Sequence, residues 1–279
     1  MYLTRHATPG GPRWAVDGRE LPASFTLDLL LQLPAHTAAQ TVTSMATEAT
    51  LDDPLLAPIE AHHEVWASGV TYLKSREARR SESHASGGGD LYARVYDAAR
   101  PELFFKAAGW RVAGPEAPIR ARRDAEWTVP EPELVLVLNS RMEIVGYCAG
   151  NDVSSRDIEG DNALYLPQAK IYDGSCALGP GIITASVHEV TAVRVALEIR
   201  RDGEIIFSDA TDTSQMKRAP GELLHHLSSE MSFPHGVFLM TGTSIIPPED
   251  YSLRPDDIVQ ITVGSLELSN IVALEPAPA

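Results

Sequence analysis

The sequence predicts an α+β fold in which a strand-rich body follows a small N-terminal α/β domain. Residues 24–47 carry apolar side chains at helical spacing, interrupted by Pro34. In contrast, the segment "VRVALEIR" from Val193 alternates apolar and polar side chains, as a half-buried strand does. The run "ELVLVLN" from Glu133 is apolar on both faces, which is typical of a strand covered on both sides.

Length and composition divide the chain into two expected domains. Its 279 residues exceed the roughly 150 residues of an average domain, which favours one large domain with a smaller one attached. The segment "LDDPLLAP" after Thr50 is interpreted as a linker. The small domain is therefore expected over residues 1–62 and the larger one over residues 63–279.

Turn residues predict hairpins in the larger domain. Asp202-Gly203 supplies a two-residue turn between "VRVALEIR" and "EIIFSDA", and "DDIVQITVG" with "LELSNIVAL" predicts a second strand pair. A charged helix is expected from about Tyr72 to His84, followed by Gly87-Gly88-Gly89 and a second helix. The three glycines favour a mobile lid over residues 72–90, with a plain surface connection as the alternative.

The charge balance limits the kinds of partner. Lys and Arg total 23 and Asp and Glu total 38, a formal net charge of −15 that disfavours nucleic acid and anionic membrane surfaces. A small-molecule substrate fits better. Cys148 and Cys176 form no CxxC or secretory pattern, which indicates a reducing compartment. The sequence shows neither a cationic start followed by an apolar segment nor an apolar run of about 18 residues, so a cytoplasmic protein is expected.

Three carboxylates form the candidate metal site. Glu131 and Glu133 point to the same side of a strand, with Pro132 indicating an edge or strand-entry position. Taken alone, such a pair is more often solvated. However, Asp152 ends the strand "EIVGYCAGND" and would lie beside them if the two strands form a hairpin around residues 139–141. Three converging carboxylates predict a divalent cation, and oxygen donors suit Mg²⁺, with Mn²⁺ or Ca²⁺ as substitutes, rather than Zn²⁺.

Other polar residues carry weaker signals. Lys170 is a surface lysine by default, but near a metal pocket it would be available as a base or proton shuttle. Glu102 is either a surface carboxylate or, beside the apolar "LFF" that follows it, a carboxyl of raised pKa. Thr241-Gly242-Thr243 offers hydroxyls to an anionic group. The histidine pairs at 62–63 and 225–226 lack zinc-hydrolase spacing and are interpreted as surface or locally bonded imidazoles.

Several of these segments together resemble the fumarylacetoacetate hydrolase superfamily. The similar motifs are "PEPELVLVL", "GYCAGNDVSSRDIEG", "LPQAK", "ALGPGIIT" and "MTGTSIIP", in this order, and the resemblance runs from about Glu64 to the C-terminus. It implies a mixed β-sandwich-like roll that binds Mg²⁺ through an E-x-E pair and the Asp of an N-D-x-S-x-R-D motif. Carried onto this sequence, the implied ligands are Glu131, Glu133 and Asp152.

A closer resemblance is to the 2-keto-3-deoxy-D-arabinonate dehydratases of that superfamily. It is carried by "EVWASGVTYLKSREAR", "VYDAARPELFFKA", "EWTVPEPEL" and "LYLPQAKIYDGSCALGP". Ser75 stands where hydrolases of the superfamily carry the histidine that activates water. The resemblance places Glu102 and Lys170 at the reacting carbons and Thr243 on the substrate carboxylate. Arg156, from the shared motif, is either a substrate contact or structural support.

The resemblance implies Mg²⁺-dependent dehydration of a 2-keto-3-deoxypentonate to 2,5-dioxopentanoate through a metal-stabilised enolate. The division of the base and acid roles between Glu102 and Lys170 stays open. The alternatives are a C–C bond hydrolase or decarboxylase of a 2,4-diketo acid, and a non-catalytic sugar-acid binding protein. The resemblance also implies a homo-oligomer, with a homodimer or homotetramer expected.

Overall fold

The computed structural model describes residues 1–74 and 94–274. The strands, numbered along the chain, are β1 (Tyr2–Thr8), β2 (Gly11–Val16), β3 (Arg19–Glu20), β4 (Leu55–Leu56), β5 (Glu64–Gly69), β6 (Glu102–Ala108), β7 (Ile119–Arg120), β8 (Thr128–Val129), β9 (Pro132–Leu138), β10 (Ile144–Asp152), β11 (Ser154–Ser155), β12 (Cys176–Ile183), β13 (Arg194–Arg201), β14 (Glu204–Asp212), β15 (Val237–Met240), β16 (Ile258–Val263) and β17 (Leu266–Ala273). The described helices are α1 (Leu27–Gln32), α2 (Ala35–Ser44), α3 (Arg156–Asp161), α4 (Leu166–Lys170) and α5 (Pro220–Leu227).

The strands form two large sheets and one small strand pair. The larger sheet has the order β3-β2-β1-β12-β10-β9-β15-β5-β6, with β4 beside β1, and the second has the order β14-β13-β16-β17-β7. Pairing is mostly antiparallel, but β15 runs parallel to β5, and β17 runs parallel to β7. Strands β9, β10 and β12 pack against β13, β16 and β17, so the main core lies between the sheets. The predicted mixed, sandwich-like arrangement is confirmed.

The β9–β10 hairpin lies at the centre of the larger sheet. Every residue of β9 is buried, because β10 and β15 flank the strand and the second sheet covers it. This confirms the interpretation of "ELVLVLN" as a strand covered on both sides. Pro132 is the first residue of β9, which is the position where a missing N–H removes no interior ladder bond. Of the two predicted alternatives, the structure shows strand entry and not an edge strand.

A single buried amide group, that of Asn139, holds the turn of this hairpin. Its Oδ1 accepts the main-chain N–H groups of Arg141 at 3.0 Å and Glu143 at 2.9 Å. Its Nδ2 donates to the Leu33 carbonyl oxygen at 2.9 Å and to Glu143 Oε2 at 2.7 Å. The turn is therefore fixed locally and is also tied to the end of α1.

The remaining sequence predictions concern both ends of the chain. Helices α1 and α2 are separated at Pro34, as the broken apolar pattern predicts, and the two C-terminal hairpins β13–β14 and β16–β17 form as predicted. Strand β1 pairs with β12, so the first 62 residues contribute strands to the larger sheet; the division at residue 62 stays a prediction.

Most of the predicted lid lies outside the described residues. Within the described part, no helix is long and apolar enough to cross a membrane.

Candidate active site

Three buried carboxylates meet at the end of the β9–β10 hairpin that is opposite its turn. Glu131 precedes β9, Glu133 lies within it, and Asp152 ends β10. The Asp152 main-chain N–H donates to the Glu131 carbonyl oxygen at 3.0 Å, so strand pairing brings the side chains together. Each residue offers a carboxylate oxygen that lies within 4.8 Å of the other two. They are 5%, 1% and 1% exposed respectively, which rules out a solvated pair.

Lys170, at the end of α4, lies directly against two of these carboxylates. Its Nζ donates to Glu131 Oε2 and to Asp152 Oδ2, both at 2.9 Å, and to Ser154 Oγ at 2.5 Å. The Phe104 ring centroid lies 5.7 Å from the same nitrogen. Lys170 is only 2% exposed, so the interpretation as a surface lysine is wrong.

Two more cations contact the same carboxylates. Lys106, which is fully buried in β6, places Nζ 2.5 Å from Asp152 Oδ1 and also donates to the carbonyl oxygens of Val153 and Lys170. Arg156, the first residue of α3, places Nη2 2.8 Å from Glu131 Oε1. Three basic groups therefore contact two of the three carboxylates, Glu131 and Asp152. Such compensation offsets the desolvation of buried charges, which would otherwise cost several kcal/mol each.

Glu133 differs from its two acidic neighbours. Among the described residues no cation lies within salt-bridge distance of its carboxylate. Burial, together with the negative charges of Asp152 and Glu131, raises the pKa of Glu133 well above 4.5. Its Oε2 accepts the main-chain N–H of Gly242 at 2.6 Å. This carboxyl is the one whose ionised form gains most from a bound cation.

The backbone at Gly242 requires glycine. Its φ is +90°, a left-handed conformation that side chains disfavour, and an added Cβ would lie 2.1 Å from Thr71 Oγ1. This close approach lets the Gly242 N–H reach the buried Glu133 carboxylate. Thr243, the next residue, is 5% exposed, lines the cleft, and accepts the Ile245 N–H through Oγ1 at 3.1 Å.

The cleft that opens onto the carboxylates also brings Glu102 close to the site. The cleft is lined by residues of β5, β6, β10, α3 and α4, by Glu131 before β9 and by the segment after β15, and the lining includes Gly69, Phe104 and Arg156. Glu102 begins β6 and is paired with Gly69. An added Cβ at Gly69 would lie 2.1 Å from Glu102 Oε2, so the Glu102 carboxylate packs directly over that glycine. Six of the predicted site residues thus line the cleft or meet at its carboxylates, and Glu102 packs against its wall.

The donor set fits the predicted metal ion. Glu131, Glu133 and Asp152 supply hard oxygen ligands, which suit Mg²⁺ and not a thiophilic metal. Their burial and mutual repulsion favour a divalent cation between them. Lys106 and Lys170 supply positive charge beside these carboxylates in the structure.

Sequence reasoning missed Lys106. A partial signal was present, because Glu102, Phe104 and Lys106 stand two residues apart, and plain strand alternation would put them on one face. Glu102 is a predicted site residue, and Phe104 lies in the apolar "LFF" that follows it. A lysine in such a run, on the same face as a candidate catalytic carboxylate, is best interpreted as a buried partner for an acidic group.

Two mixed sheets pack face to face, and an acidic triad flanked by lysines lies at their central hairpin. This fold and this site together define a metal-dependent enzyme of the β-sandwich-like roll type. The chain belongs to the fumarylacetoacetate (FAA) hydrolase family, because the family model for the FAA hydrolase C-terminal domain matches residues 65–274. This family assignment confirms the resemblance seen in the sequence motifs.

Curated relatives and solved structures agree with this assignment. The chain is 46% identical over 227 residues to a probable 2-keto-3-deoxyxylonate dehydratase of Haloferax volcanii, covering 81% of this chain and 77% of that protein. It is 43% identical over 205 residues to the 2-dehydro-3-deoxy-D-arabinonate dehydratase of Saccharolobus solfataricus, covering 73% and 69%. A solved 2-keto-3-deoxy-D-arabinonate dehydratase, complexed with magnesium and 2,5-dioxopentanoate, is 32% identical with a TM-score of 0.83, covering 99% of this chain and 100% of that one.

Proposed function

We propose that the protein is a Mg²⁺-dependent dehydratase of 2-keto-3-deoxy sugar acids, a hydro-lyase that converts a 2-keto-3-deoxypentonate to 2,5-dioxopentanoate. The observation that carries this proposal is the buried Glu131–Glu133–Asp152 triad with Lys170 Nζ at 2.9 Å from two of its members. The dehydratases similar to this chain, including the one solved with magnesium and 2,5-dioxopentanoate, support the same reaction class.

The triad would hold the ion and the cleft would hold the substrate. When bound, Mg²⁺ supplies Lewis acidity toward the carboxylate and keto oxygens of a 2-keto acid, which makes the C3 hydrogens acidic. Thr243 lines the cleft beside the triad and is proposed to bind the substrate carboxylate. Arg156 keeps Glu131 in place through its 2.8 Å contact, which favours the supporting role over a direct substrate contact.

Lys170 and Glu102 are proposed to move the protons. Lys170 lies at the triad and would take the proton from C3, while Glu102, packed over Gly69, would give a proton to the departing C4 hydroxyl. One water leaves for each substrate molecule. A shift of one proton from C5 to C3 then gives the C4–C5 enol, and transfer of the C5 hydroxyl proton to C4 yields the aldehyde, so the overall reaction loses only water. Phe104 covers Lys170 and helps to exclude bulk water from this path.

The cleft itself favours dehydration over hydrolysis of a C–C bond. A hydrolase must activate a water molecule, usually with a histidine as general base. None of the described residues that line the cleft is a histidine. Ser75, at the position of the hydrolase histidine, lies outside the described residues. A turnover experiment with both kinds of substrate distinguishes dehydration from hydrolysis.

The proposal is tested by turnover with Mg²⁺, with and without EDTA. D- and L-2-keto-3-deoxypentonates and an acylpyruvate are offered in parallel, and aldehyde and pyruvate are measured separately. Aldehyde without pyruvate, abolished by EDTA and restored by Mg²⁺, is the expected result. Pyruvate from the acylpyruvate alone would identify a C–C hydrolase instead. Binding of the sugar acids with no product at all would leave only a binding protein.

We also propose that the enzyme acts in the cytoplasm as a homodimer or homotetramer. Both cysteines, Cys148 and Cys176, are buried and unpaired with each other, as a reducing compartment allows. Apolar side chains at Trp110 and Leu164 are 64% and 83% exposed, which suits contacts between subunits. Light scattering coupled to size-exclusion chromatography measures the mass directly, and a monomer at micromolar concentration would contradict the proposal.

A further inference from the structure

Three histidines converge on one carboxylate at the edge of the sheet remote from the active site. Asp28 lies in the first turn of α1, His62 and His63 directly precede β5, and His235 lies two residues before β15. Strands β5 and β15 are parallel neighbours, with Val65 opposite Phe238, so the residues before both strands meet at the same end. The active site lies at the other end of these strands, where Gly69 and Gly242 are found.

The histidine cluster consists of Asp28, His62, His63 and His235. One donor atom from each of Asp28, His62 and His63 lies within 4.8 Å of the other two. Measured from Asp28 Oδ1, the nitrogen atoms lie at 3.0 Å for His62 Nε2, 3.1 Å for His63 Nε2 and 3.3 Å for His235 Nδ1. Tetrahedral Zn²⁺ with bonds of about 2.0–2.1 Å has ligand atoms about 3.3 Å apart. Rotation of the side chains toward this spacing would place a cation between the first three groups, with His235 as a fourth donor beside Asp28.

The Asp28 carboxylate gathers three imidazoles through both of its oxygens. Beside the contacts to Oδ1, His62 Nε2 and His235 Nδ1 lie 3.1 Å and 3.3 Å from Oδ2. The rings of His62 and His63 are 4.2 Å apart, and those of His62 and His235 are 4.9 Å apart. A metal ion would bind the nitrogen lone pairs of such closely spaced rings.

The buried His63 is also held on its other side, where its Nδ1 lies 3.3 Å from the main-chain nitrogen of Glu60. A ring fixed at both nitrogens has a defined orientation toward the Asp28 carboxylate.

We propose that the histidine cluster is a second metal site, separate from the magnesium site, which binds Zn²⁺ or a similar borderline transition-metal ion. Its nitrogen-rich donor set contrasts with the all-oxygen triad, and the two sites select different metals for this reason. His63 is buried, while His62 and His235 have side chains that are 46% and 56% exposed, so the ion can enter from solvent.

The site would fasten three separate segments together. Helix α1 and the entries of β5 and β15 each provide at least one ligand, and they are far apart in sequence. An ion that binds only the folded arrangement stabilises it. The expected function of the site is structural, because among the described residues none of the four ligands lines the active-site cleft.

The test uses the full chain without a histidine tag, stripped with EDTA and returned to saturating Mg²⁺. Zinc chloride is then titrated by calorimetry, and bound zinc is counted by equilibrium dialysis. The variant carries His62→Ala and His235→Ala, both at exposed positions. The matched control carries His225→Ala and His226→Ala, which removes an adjacent pair whose rings are 5.3 Å apart and which faces no carboxylate in the described contacts. Thermal unfolding without metal checks that both variants fold.

One equivalent of Zn²⁺ is expected in the wild type and in the control, with a higher melting temperature in each. The His62/His235 variant should lose this equivalent or bind it at least roughly tenfold more weakly, with Mg²⁺-dependent turnover unchanged. Adding Glu133→Gln to the wild type should leave the Zn²⁺ equivalent in place, since that site is separate. Equal Zn²⁺ binding by wild type and the His62/His235 variant, or no Zn²⁺ binding at all, would overturn the proposal.

Discussion

Replacing Glu133 by glutamine is expected to make the metal-free protein more stable at neutral pH and to prevent its stabilisation by Mg²⁺. Burial and the charges of Asp152 and Glu131 raise the pKa of Glu133 well above 4.5. The folded protein therefore keeps a proton on this carboxyl up to a higher pH than the unfolded chain does. Glutamine keeps the shape and can still accept the Gly242 N–H, but it carries no charge.

The magnitude follows from the spacing of the carboxylates. At 4.8 Å or less and an effective dielectric constant of about 20, each like-charge pair costs at least about 3 kcal/mol, and Lys106, Arg156 and Lys170 offset part of this cost. Holding a proton on a carboxyl costs about 1.4 kcal/mol for each pH unit above its unfolded pKa, so the two costs are of the same order near neutral pH. Burial adds to the repulsion and raises the pKa of Glu133 in the absence of metal.

The sign of the pH dependence follows from the raised pKa. The stability contribution of Glu133 is fully present below pH 4.5 and is lost as pH rises toward its folded pKa. Wild-type stability relative to Glu133→Gln should therefore fall by at most about 1.4 kcal/mol per pH unit across this window, which gives at most about 3.4 kcal/mol at pH 7. The proton is shared with the coupled neighbours, so the measured slope is expected to lie below this limit.

Urea unfolding in EDTA at several pH values measures the difference. Glu143→Gln is the matched control, because hydrogen bonds from Ala35 and Asn139 lower the pKa of Glu143, so its contribution has the opposite sign. In Mg²⁺ at about 100 times the dissociation constant, only the wild type should gain about 2.7 kcal/mol. Parallel pH profiles for wild type and Glu133→Gln in EDTA would refute the reasoning about the triad.

Three further substitutions test the proposed roles. Lys170→Met should lower turnover by about 100-fold or more while calorimetry still detects Mg²⁺ binding, because this side chain is proposed to move a proton and not to hold the ion. Glu102→Gln should lower kcat by a similar factor with little change in KM, measured with the same substrate. Gly242→Ala and Gly203→Ala both place a side chain at positive φ, which costs about 1–2 kcal/mol. Only Gly242→Ala also clashes and should weaken Mg²⁺ binding, whereas an added Cβ at Gly203 meets nothing within 4 Å.

Each of these expectations has a contrary outcome. Near wild-type turnover in Lys170→Met or in Glu102→Gln would remove that residue from the proton path. Loss of Mg²⁺ binding in Lys170→Met would make the lysine a structural support of the triad. Equal destabilisation in the two glycine variants, with Mg²⁺ binding kept in both, would show that the close approach at Gly242 is not needed for the metal site.

Local patterns in the sequence predicted much of the scaffold. Pro34 separates α1 from α2, and the Asp202-Gly203 turn joins β13 to β14, because proline and glycine restrict the backbone whatever surrounds them. The meeting of the carboxylates of the β9–β10 hairpin could also be predicted from the sequence, since a short hairpin turn fixes which residues face each other. These features depend on residues that are close together in the chain.

The parts that escaped prediction depend on long-range pairing. Lys106 is buried because β10 and α4 bring Asp152 and the Lys170 carbonyl oxygen to it, and "LFFKAA" alone does not reveal those partners. The histidines showed no metal-binding spacing, since His62 and His235 meet only through the parallel pairing of β5 with β15. Sequence periodicity describes one strand at a time and leaves the choice of neighbouring strands open.

Because the turn at Asn139 is fixed, the length of the β9–β10 hairpin determines where its carboxylates lie. Glu133 lies six residues before Asn139, about 20 Å along the strand at 3.3 Å per residue, and a slip of one residue would point Glu133 to the opposite face of the sheet. An insertion or deletion in the β9–β10 hairpin should therefore abolish metal binding even where the fold survives. The distance between the turn and the metal site is thus set by a residue count and not by side-chain packing alone.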